Sequence, residues 1–353
     1  MDLVLHVGLP KTGTTTIQRH LLAGTPGYLG KDRTNRSLCK KPSDLRELVE
    51  LATKHRFLSS GEVKQRTQNW VERVLRLAEE QRELPPRITL SEELLTMWRL
   101  RGIGDETARP IHWPSARTGG TLTRQRPLPV AEYISEYLQP AWASFGRISV
   151  VITLRNQTDW LASQYAQKSD RIRSAGQADF ETQIERLLGQ DDPAVNWYAM
   201  VEDLAEAVGW ERAGALVFEN IGTREYWQEL ARFMGLEDAE AAALSGAAAP
   251  RENVRATGET GSWGIRPRGD ALCVLGRAVK RGWPDPYAPR LKNSVVDALR
   301  SLELALITPW LDRGRGQAIT VTPELRARIQ KHCAASNARL AAWLNQDLEK
   351  LGY

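Results

Sequence analysis

Residues 8 to 16, Gly-Leu-Pro-Lys-Thr-Gly-Thr-Thr-Thr, place Lys11 and the hydroxyls of Thr12, Thr14, Thr15 and Thr16 around Gly13. That composition suits an anion. If the string turns a strand into a helix, the first helical turn leaves backbone N–H groups unpaired and the macrodipole adds positive potential. Gly13 lets the main chain approach a ligand closely, and Lys11 adds a full charge. An ordinary ATPase or GTPase loop carries its lysine directly after the second glycine, whereas Lys11 precedes Gly13, so the order is wrong for that class. The plainer alternative is a capped strand-to-helix turn with an incidental lysine.

Two more groups carry chemistry that an anion site would use. Arg155 follows the apolar run Ile148 to Leu154, and Ser163 comes eight residues later, within a helical pattern. A guanidinium offers a fork of donors to a phosphate and a serine hydroxyl adds another. Alone, Arg155 would read as a helix-start or ion-pair arginine. The run Arg87 to Leu90 ends in Ser91-Glu92-Glu93. A carboxylate at a strand end can take the proton of an attacking hydroxyl or amine, with Glu92 the first candidate and Glu93 the second. The same residues also fit an N-cap with dipole-complementing glutamates.

The elements that must position these residues are legible in outline. Leu3 to Val7 is continuously apolar and ends at Gly8, the pattern of a strand buried on both faces. Further strands are expected at 87–90, 148–154 and 215–218, with a weak one at Tyr28 and Leu29. Helical patterns cover 14–22, 43–55, 62–81, 130–142, 157–168, 194–208 and 224–234. This alternation predicts an α/β fold: a P-loop-type parallel sheet of about five strands with helices on both faces and ligands at the strand C-terminal ends. Residues 1–235 form the expected nucleotide-binding sheet core. Residues 236–353 read as a mostly helical extension packed on the sheet within the same domain, with helices at 294–306 and 323–344 and a Gly-rich loop at 255–269.

The string PKTGTT after a first strand resembles the 5′-phosphosulfate loop of sulfotransferases that use 3′-phosphoadenosine 5′-phosphosulfate (PAPS), and Arg155 with Ser163 resembles their 3′-phosphate site. The resemblance implies that Lys11, Thr12, Gly13, Thr14, Thr15 and Thr16 grip the 5′-phosphosulfate, that Lys11 also steadies the leaving phosphate, and that no metal takes part. Arg255-Ala-Thr-Gly-Glu-Thr-Gly-Ser-Trp resembles the late loop that closes over the nucleotide in the cytosolic enzymes, with one residue too many after Arg255. Their base is a histidine; the glycosaminoglycan branch commonly uses glutamate, which favours Glu92 or Glu93 here. Where the cytosolic enzymes have a tryptophan on the adenine, this chain has Thr16, so adenine recognition is unassigned. The resemblance spans about residues 1 to 235 and does not reach the acceptor site. It implies sulfuryl transfer to a hydroxyl, or secondarily an amine, of a carbohydrate or small molecule. The rivals are a kinase or NTPase using magnesium ATP and a non-catalytic protein binding nucleotides or anionic glycans.

Composition sets outer bounds. With 42% hydrophobic and 26% charged residues in 353, the chain can bury a core and is neither disordered nor fibrous. Residues 1 to 130 hold 22 Lys+Arg against 14 Asp+Glu and the rest 26 against 29, so the basic half should face something anionic. From Arg99 to Pro129, six arginines (Arg99, Arg101, Arg109, Arg117, Arg124, Arg126) suggest a lid for an acceptor carrying carboxylate, phosphate or sulfate. Without regularly interleaved aromatics the stretch is a poor nucleic-acid footprint. Trp98, Trp113 and Trp142 flank it and could stack on a sugar, and His112 could reach the acceptor. His6 reads as a packed core residue. Cys39, Cys273 and Cys333 make no disulfide framework, and the opening MDLVLHVGLP lacks a basic n-region and is too short to span a membrane, so a cytoplasmic setting is expected.

Overall fold

A strand of a sheet covered on both faces is largely apolar on both sides and admits buried polar groups only where they are hydrogen-bonded, and the first strand shows the pattern. In the computed structural model β1 (Asp2–His6) sends Leu3 and Leu5 into one apolar layer and Val4 into the other. The same division recurs downstream. In β4 (Ile148–Leu154) Val150 and Ile152 join the first layer and Val151 the second, and in β5 (Ala213–Val217) Ala215 and Val217 oppose Leu216. With β2 (Tyr28–Gly30) and β3 (Arg87–Ser91) these strands form one wholly parallel five-stranded sheet in the order β2-β3-β1-β4-β5. The chain is described at residues 1–22, 25, 27–30, 42–80, 85–96, 128–172, 174–189, 195–236, 261–266 and 316–353 and at positions 295, 298, 301 and 302.

Register decides what meets at the sheet's end. His6 pairs with Ser91, and β1 also pairs with β4 through His6 and Val151. The turn after β1, the acids after β3 and the arginine after β4 therefore leave the sheet on one edge. From β1 the chain goes out to the edge strand β2, returns inward as β3 and then passes to the other side of β1 for β4 and β5, so the crevice expected of a doubly wound sheet lies at the C-terminal end of β1.

Helices cover both faces. On the smaller layer lie α1, which starts at Thr14–Thr16 and widens to a π-helix at Ile17–Leu22, and a helix at Arg224–Met234 that buries Tyr226, Trp227, Leu230 and Met234. The larger layer takes helices at Pro42–Lys54, Ser60–Glu79, Gln157–Lys168 and Trp197–Val208, and one that runs from Pro129 to Trp142 with a π segment at Ile134–Leu138. Local chemistry starts several of them: Ser59 accepts from the Glu62 N–H and Asn156 from the Asp159 N–H, each satisfying an orphan donor. Among the described residues no helix is long and apolar enough to cross a membrane.

Three features differ from the sequence expectation. A helix at Gln177–Gly189 stands where none was read, because its buried side Phe180, Gln183, Ile184 and Leu187 is narrow and includes a glutamine. Within the Gly-rich 255–269 stretch Ser262–Gly264 is a strand, paired antiparallel with Ala318–Thr320 and held by Gln177, whose amide exchanges hydrogen bonds of 2.8 and 2.9 Å with Thr320. The last helix, Pro323–Leu344, packs chiefly on the helices Gln157–Lys168 and Trp197–Val208 and so forms an outer layer instead of lying on the sheet. Of the helix expected at 294–306, positions 295, 298, 301 and 302 are helical and the remainder lies outside the described residues.

The outer layer is tied in by one buried amide pair. Gln157 donates to Asn337 at 2.7 Å and Asn337 returns a bond at 3.3 Å. Asn337→Ala leaves Gln157 Oε1 without this donor in an apolar setting and should cost about 1–3 kcal/mol in urea denaturation, whereas the double variant Gln157→Leu/Asn337→Leu should recover most of it. An unchanged midpoint for Asn337→Ala would show that the pair does not hold the layer.

Candidate functional site: an anion loop between two strand ends

The turn after β1 is strained and braced. Lys11 has φ +70°, a left-handed conformation that non-glycine residues adopt only when the surroundings impose it, and Gly13 follows at φ +77° as the residue before α1. A Cβ on Gly13 would lie 2.6 Å from Ile221 Cδ1, so this position has neither the torsional nor the spatial room for a side chain. The imposing surroundings are donors on three loop carbonyls. Trp160 Nε1 and Gln164 Nε2 donate to Pro10 O at 3.0 and 3.1 Å, Arg155 Nη1 to Lys11 O at 3.4 Å, and the Thr12 hydroxyl to Leu9 O, while the single proton of Thr96 Oγ1 lies between Glu93 O at 3.0 Å and Gly8 O at 3.3 Å. With these carbonyls held by the protein and the Leu9 N–H bonded to Thr153 O at 3.1 Å, the backbone N–H groups that point to a ligand are those of Thr12 to Thr16 at the α1 N-terminus.

The threonines divide the work unevenly. Thr12 is fully buried and its hydroxyl is also 2.8 Å from Thr153 Oγ1, so the side chain braces the loop and only the backbone N–H remains for an anion. Thr14 donates to Glu93 Oε2 at 2.7 Å. Thr16 is buried and Thr15 half-buried. Gln18, one turn on, donates to Ser91 O and Oγ at 3.2 and 3.1 Å and fastens α1 to the end of β3.

Arg155 comes to the loop. Its guanidinium touches Lys11 O, lies 5.0 Å over the Phe218 ring and stands 3.8 Å from Asp159, while its Nε is buried with no hydrogen-bond partner among the described residues. That arginine has donor capacity left over. Ser163 is half-buried one helical turn beyond Asp159 and Trp160 on the same helix. Behind Arg155 sits a carboxylate the sequence reading missed. Glu219 accepts from Asn156 N and Nδ2, both at 2.9 Å, and from Tyr353 Oη at 3.1 Å, and burial raises its pKa against the opposing pull of these bonds and of Arg155. Its signal was an acid just after β5, at the same sheet edge as the other groups.

The two candidate bases part company. Glu92 is buried and its Oε1 accepts from Leu94 N at 3.1 Å, capping the short turn Glu93–Leu95, which is the alternative that the sequence left open. Glu93, the second candidate, is the one whose carboxylate meets Thr14 at the loop.

His6 does belong to the core, yet as a polar hub: its Nδ1 is 2.7 Å from Ser91 Oγ and its Nε2 3.4 Å from Thr153 Oγ1. Trp142 is a core residue as well, fully buried with Nε1 on Met1 O, which removes it from any sugar platform. Arg255, Trp98, Trp113, His112 and the Arg-rich stretch up to 127 lie outside the described residues. Among the described residues no three His, Cys, Asp or Glu side chains are grouped to hold a metal. A groove of about 470 Å³ between the helices at 129–142 and 197–208 shares no residue with the loop, and its Glu132, Glu136, Asp203 and Glu206 would repel an anion.

No family model matches the sequence and no curated protein matches it. Among solved structures the chain is similar to the crystal structure of a sulfotransferase from Alicyclobacillus acidocaldarius, at 14% identity and a TM-score of 0.46, over 99% of this chain and 98% of that one. A likeness of that depth says nothing of substrate or residue roles.

Burial, the whole cause, pushes the His6 pKa from 6.5 down to about 4. A base depressed in the folded state gives stability that is present above pH 6.5 and lost as pH falls towards 4, about 3 kcal/mol in all. Urea denaturation of the wild type should therefore weaken by about that much more between pH 7 and pH 4 than that of His6→Gln. Equal losses in the two proteins would show that His6 does not titrate across this range.

Proposed function

We propose that this chain is a sulfotransferase that moves a sulfuryl group from PAPS to a hydroxyl, or secondarily an amine, of a carbohydrate or small-molecule acceptor. The observation that carries the reading is the meeting of two anion-binding elements 144 residues apart, the Lys11 loop and Arg155, through a direct bond between guanidinium and loop. One such element would serve many phosphate ligands. Two at one sheet edge suit a nucleotide with phosphate groups at separate positions, as a 3′-phosphorylated 5′-phosphosulfate has. Lys11, the Thr12 to Thr16 backbone and the α1 N-terminus take the 5′-phosphosulfate, and Arg155 with Ser163 takes the 3′-phosphate. Arg255 completes the set if its segment closes over the nucleotide.

In the reaction the acceptor oxygen attacks sulfur, the new S–O bond forms as the bridging bond to the 5′-phosphate breaks, and the acceptor proton passes to a carboxylate. The products are a sulfate ester and 3′-phosphoadenosine 5′-phosphate. Charge grows on the leaving phosphate oxygen, where the Lys11 ammonium and the helix amides lower the barrier without reorganising. We assign the base to Glu93 ahead of Glu92, because Glu93 faces the loop while Glu92 is occupied in capping its turn. The acceptor would be an anionic one if the six arginines at 99–126 line its entry.

Calorimetry with 3′-phosphoadenosine 5′-phosphate beside AMP, ADP and magnesium ATP tests the donor assignment. Tight, metal-independent binding of the bisphosphate with little affinity for AMP is expected; preference for magnesium ATP would give the protein to the kinase reading, and no nucleotide binding would remove the proposal. Arg155→Ala should weaken the bisphosphate by roughly 10–100-fold, and AMP by less, through the loss of the bond to Lys11 O alone. For the chemistry, Lys11→Ala should lower kcat by about 10²–10³. Glu93→Gln should lower kcat by about 10²–10⁴ with nucleotide affinity kept, and a larger loss in Glu92→Gln at unchanged stability would reverse the assignment of the base.

A further inference from the structure

Beneath the loop lies a continuous chain of buried polar groups that the chemistry above does not use: Gln18, Ser91, His6, Thr153, Thr12 and the Leu9 carbonyl. Ser91, His6, Thr153 and Thr12 are each 1% exposed or less and Gln18 is 6% exposed, so water does not complete their bonding. The chain joins β3, β1, β4, the loop and α1.

Its protons can be assigned one by one. A carbonyl only accepts, so Thr12 spends its single hydroxyl proton on Leu9 O. The 2.8 Å contact between Thr12 and Thr153 then needs the Thr153 proton. Thr153 has none left for His6, so the 3.4 Å contact is made by an N–H on His6 Nε2. A neutral imidazole carries one N–H, which leaves Nδ1 bare to accept from the Ser91 hydroxyl at 2.7 Å, and Ser91 accepts from the Gln18 amide at 3.1 Å. Every link runs the same way. Space is kept for it by Gly8, where a Cβ would sit 2.4 Å from Thr153 Oγ1 and 3.1 Å from His6 Nε2.

We infer that His6, as its neutral Nε2–H tautomer, is a positioning residue that sets the shape of the anion loop through Thr153 and Thr12 and thereby its affinity for the nucleotide's 5′-phosphate. The affinity part rests on the functional reading above; the tautomer does not. The link that matters is the one towards Thr153, because it alone leads to the loop, whereas Ser91 leads to the sheet end and α1. A packing role would make any replacement of the ring equally harmful. Directional bonding instead predicts that the replacement matters by which nitrogen it imitates, since a glutamine amide reaches the place of Nε2 and an asparagine amide only that of Nδ1.

The test uses full-length His6→Gln, His6→Asn, Thr153→Val and His6→Asn/Thr153→Val at a temperature where circular dichroism shows all four folded. Titration with 3′-phosphoadenosine 5′-phosphate should show His6→Asn and Thr153→Val weakened by about tenfold, the double variant no weaker than either single one, and His6→Gln restored to near wild type. Equal losses in His6→Gln and His6→Asn, or additive losses in the double variant, would overturn the inference. Long-range ¹⁵N–¹H correlation spectra of the wild type at pH 7 read the tautomer without any ligand. A protonated Nε2 with a bare Nδ1 is expected, and an Nδ1–H tautomer or an imidazolium would overturn it. A wild type that shows the expected tautomer but binds no bisphosphate would sink the functional reading and, with it, the claim on affinity, while leaving the proton assignment standing.

Discussion

Everything at the sheet edge depends on holding Lys11 in a left-handed backbone conformation. A non-glycine residue there costs on the order of 1–3 kcal/mol, so an unsupported turn would relax and scatter its amides. The support comes from hydrogen bonds to the Leu9, Pro10 and Lys11 carbonyls, each worth about 0.5–1.5 kcal/mol net, which together are of the size of the strain or larger. Their donors come from different elements: Thr12 from the loop itself, Arg155 from just after β4, and Trp160 with Gln164 from the next helix. The shape of the loop after β1 is thus a property of the folded sheet and not of its nine residues.

Parallel pairing is what makes that cooperation possible. In a parallel sheet every strand delivers its following turn to the same edge, so residues far apart in sequence arrive together without a dedicated scaffold. The loop after β1, Glu93 after β3, Arg155 after β4 and Glu219 after β5 all do so. Glu219 shows the scheme extended behind the front rank. By accepting both Asn156 bonds it fixes the backbone one residue beyond Arg155, and so the direction in which the guanidinium leaves the sheet.

What was legible in the sequence follows the same logic. Continuous apolar runs report strands buried on two faces, so β1, β3, β4 and β5 could be placed within about two residues of where they lie. Gly13 and Arg155 could be singled out because backbone freedom and a phosphate-matching fork are properties of the residue type itself. The choice between Glu92 and Glu93 could not, since adjacent side chains differ only in where the backbone turns them, and that is decided by a three-residue turn. Nor could the inward use of the Thr12 hydroxyl, because its partner Thr153 lies 141 positions away. The antiparallel pair at Ser262–Gly264 and Ala318–Thr320 escaped for a related reason: three residues are too few for alternation to show.

The charges around Arg155 bear on how such a site can bind and still release. Asp159 stands 3.8 Å from Arg155 and 3.6 Å from Arg326, and at about 30% exposure it is shared between two cations in partial contact with water. The Arg155 side chain is only 19% exposed, so this partly screened pair adds to the hold that Lys11 O and the Phe218 ring have on the guanidinium. A phosphate offering short charge-assisted bonds in a drier setting competes easily for the same donors. The Arg155 backbone is held through the Trp197 Nε1 bond to its carbonyl at 2.8 Å, and its guanidinium by Lys11 O and the face of the Phe218 ring. A group already ordered at both ends loses little further freedom when it takes up a ligand, which favours selection of an anion.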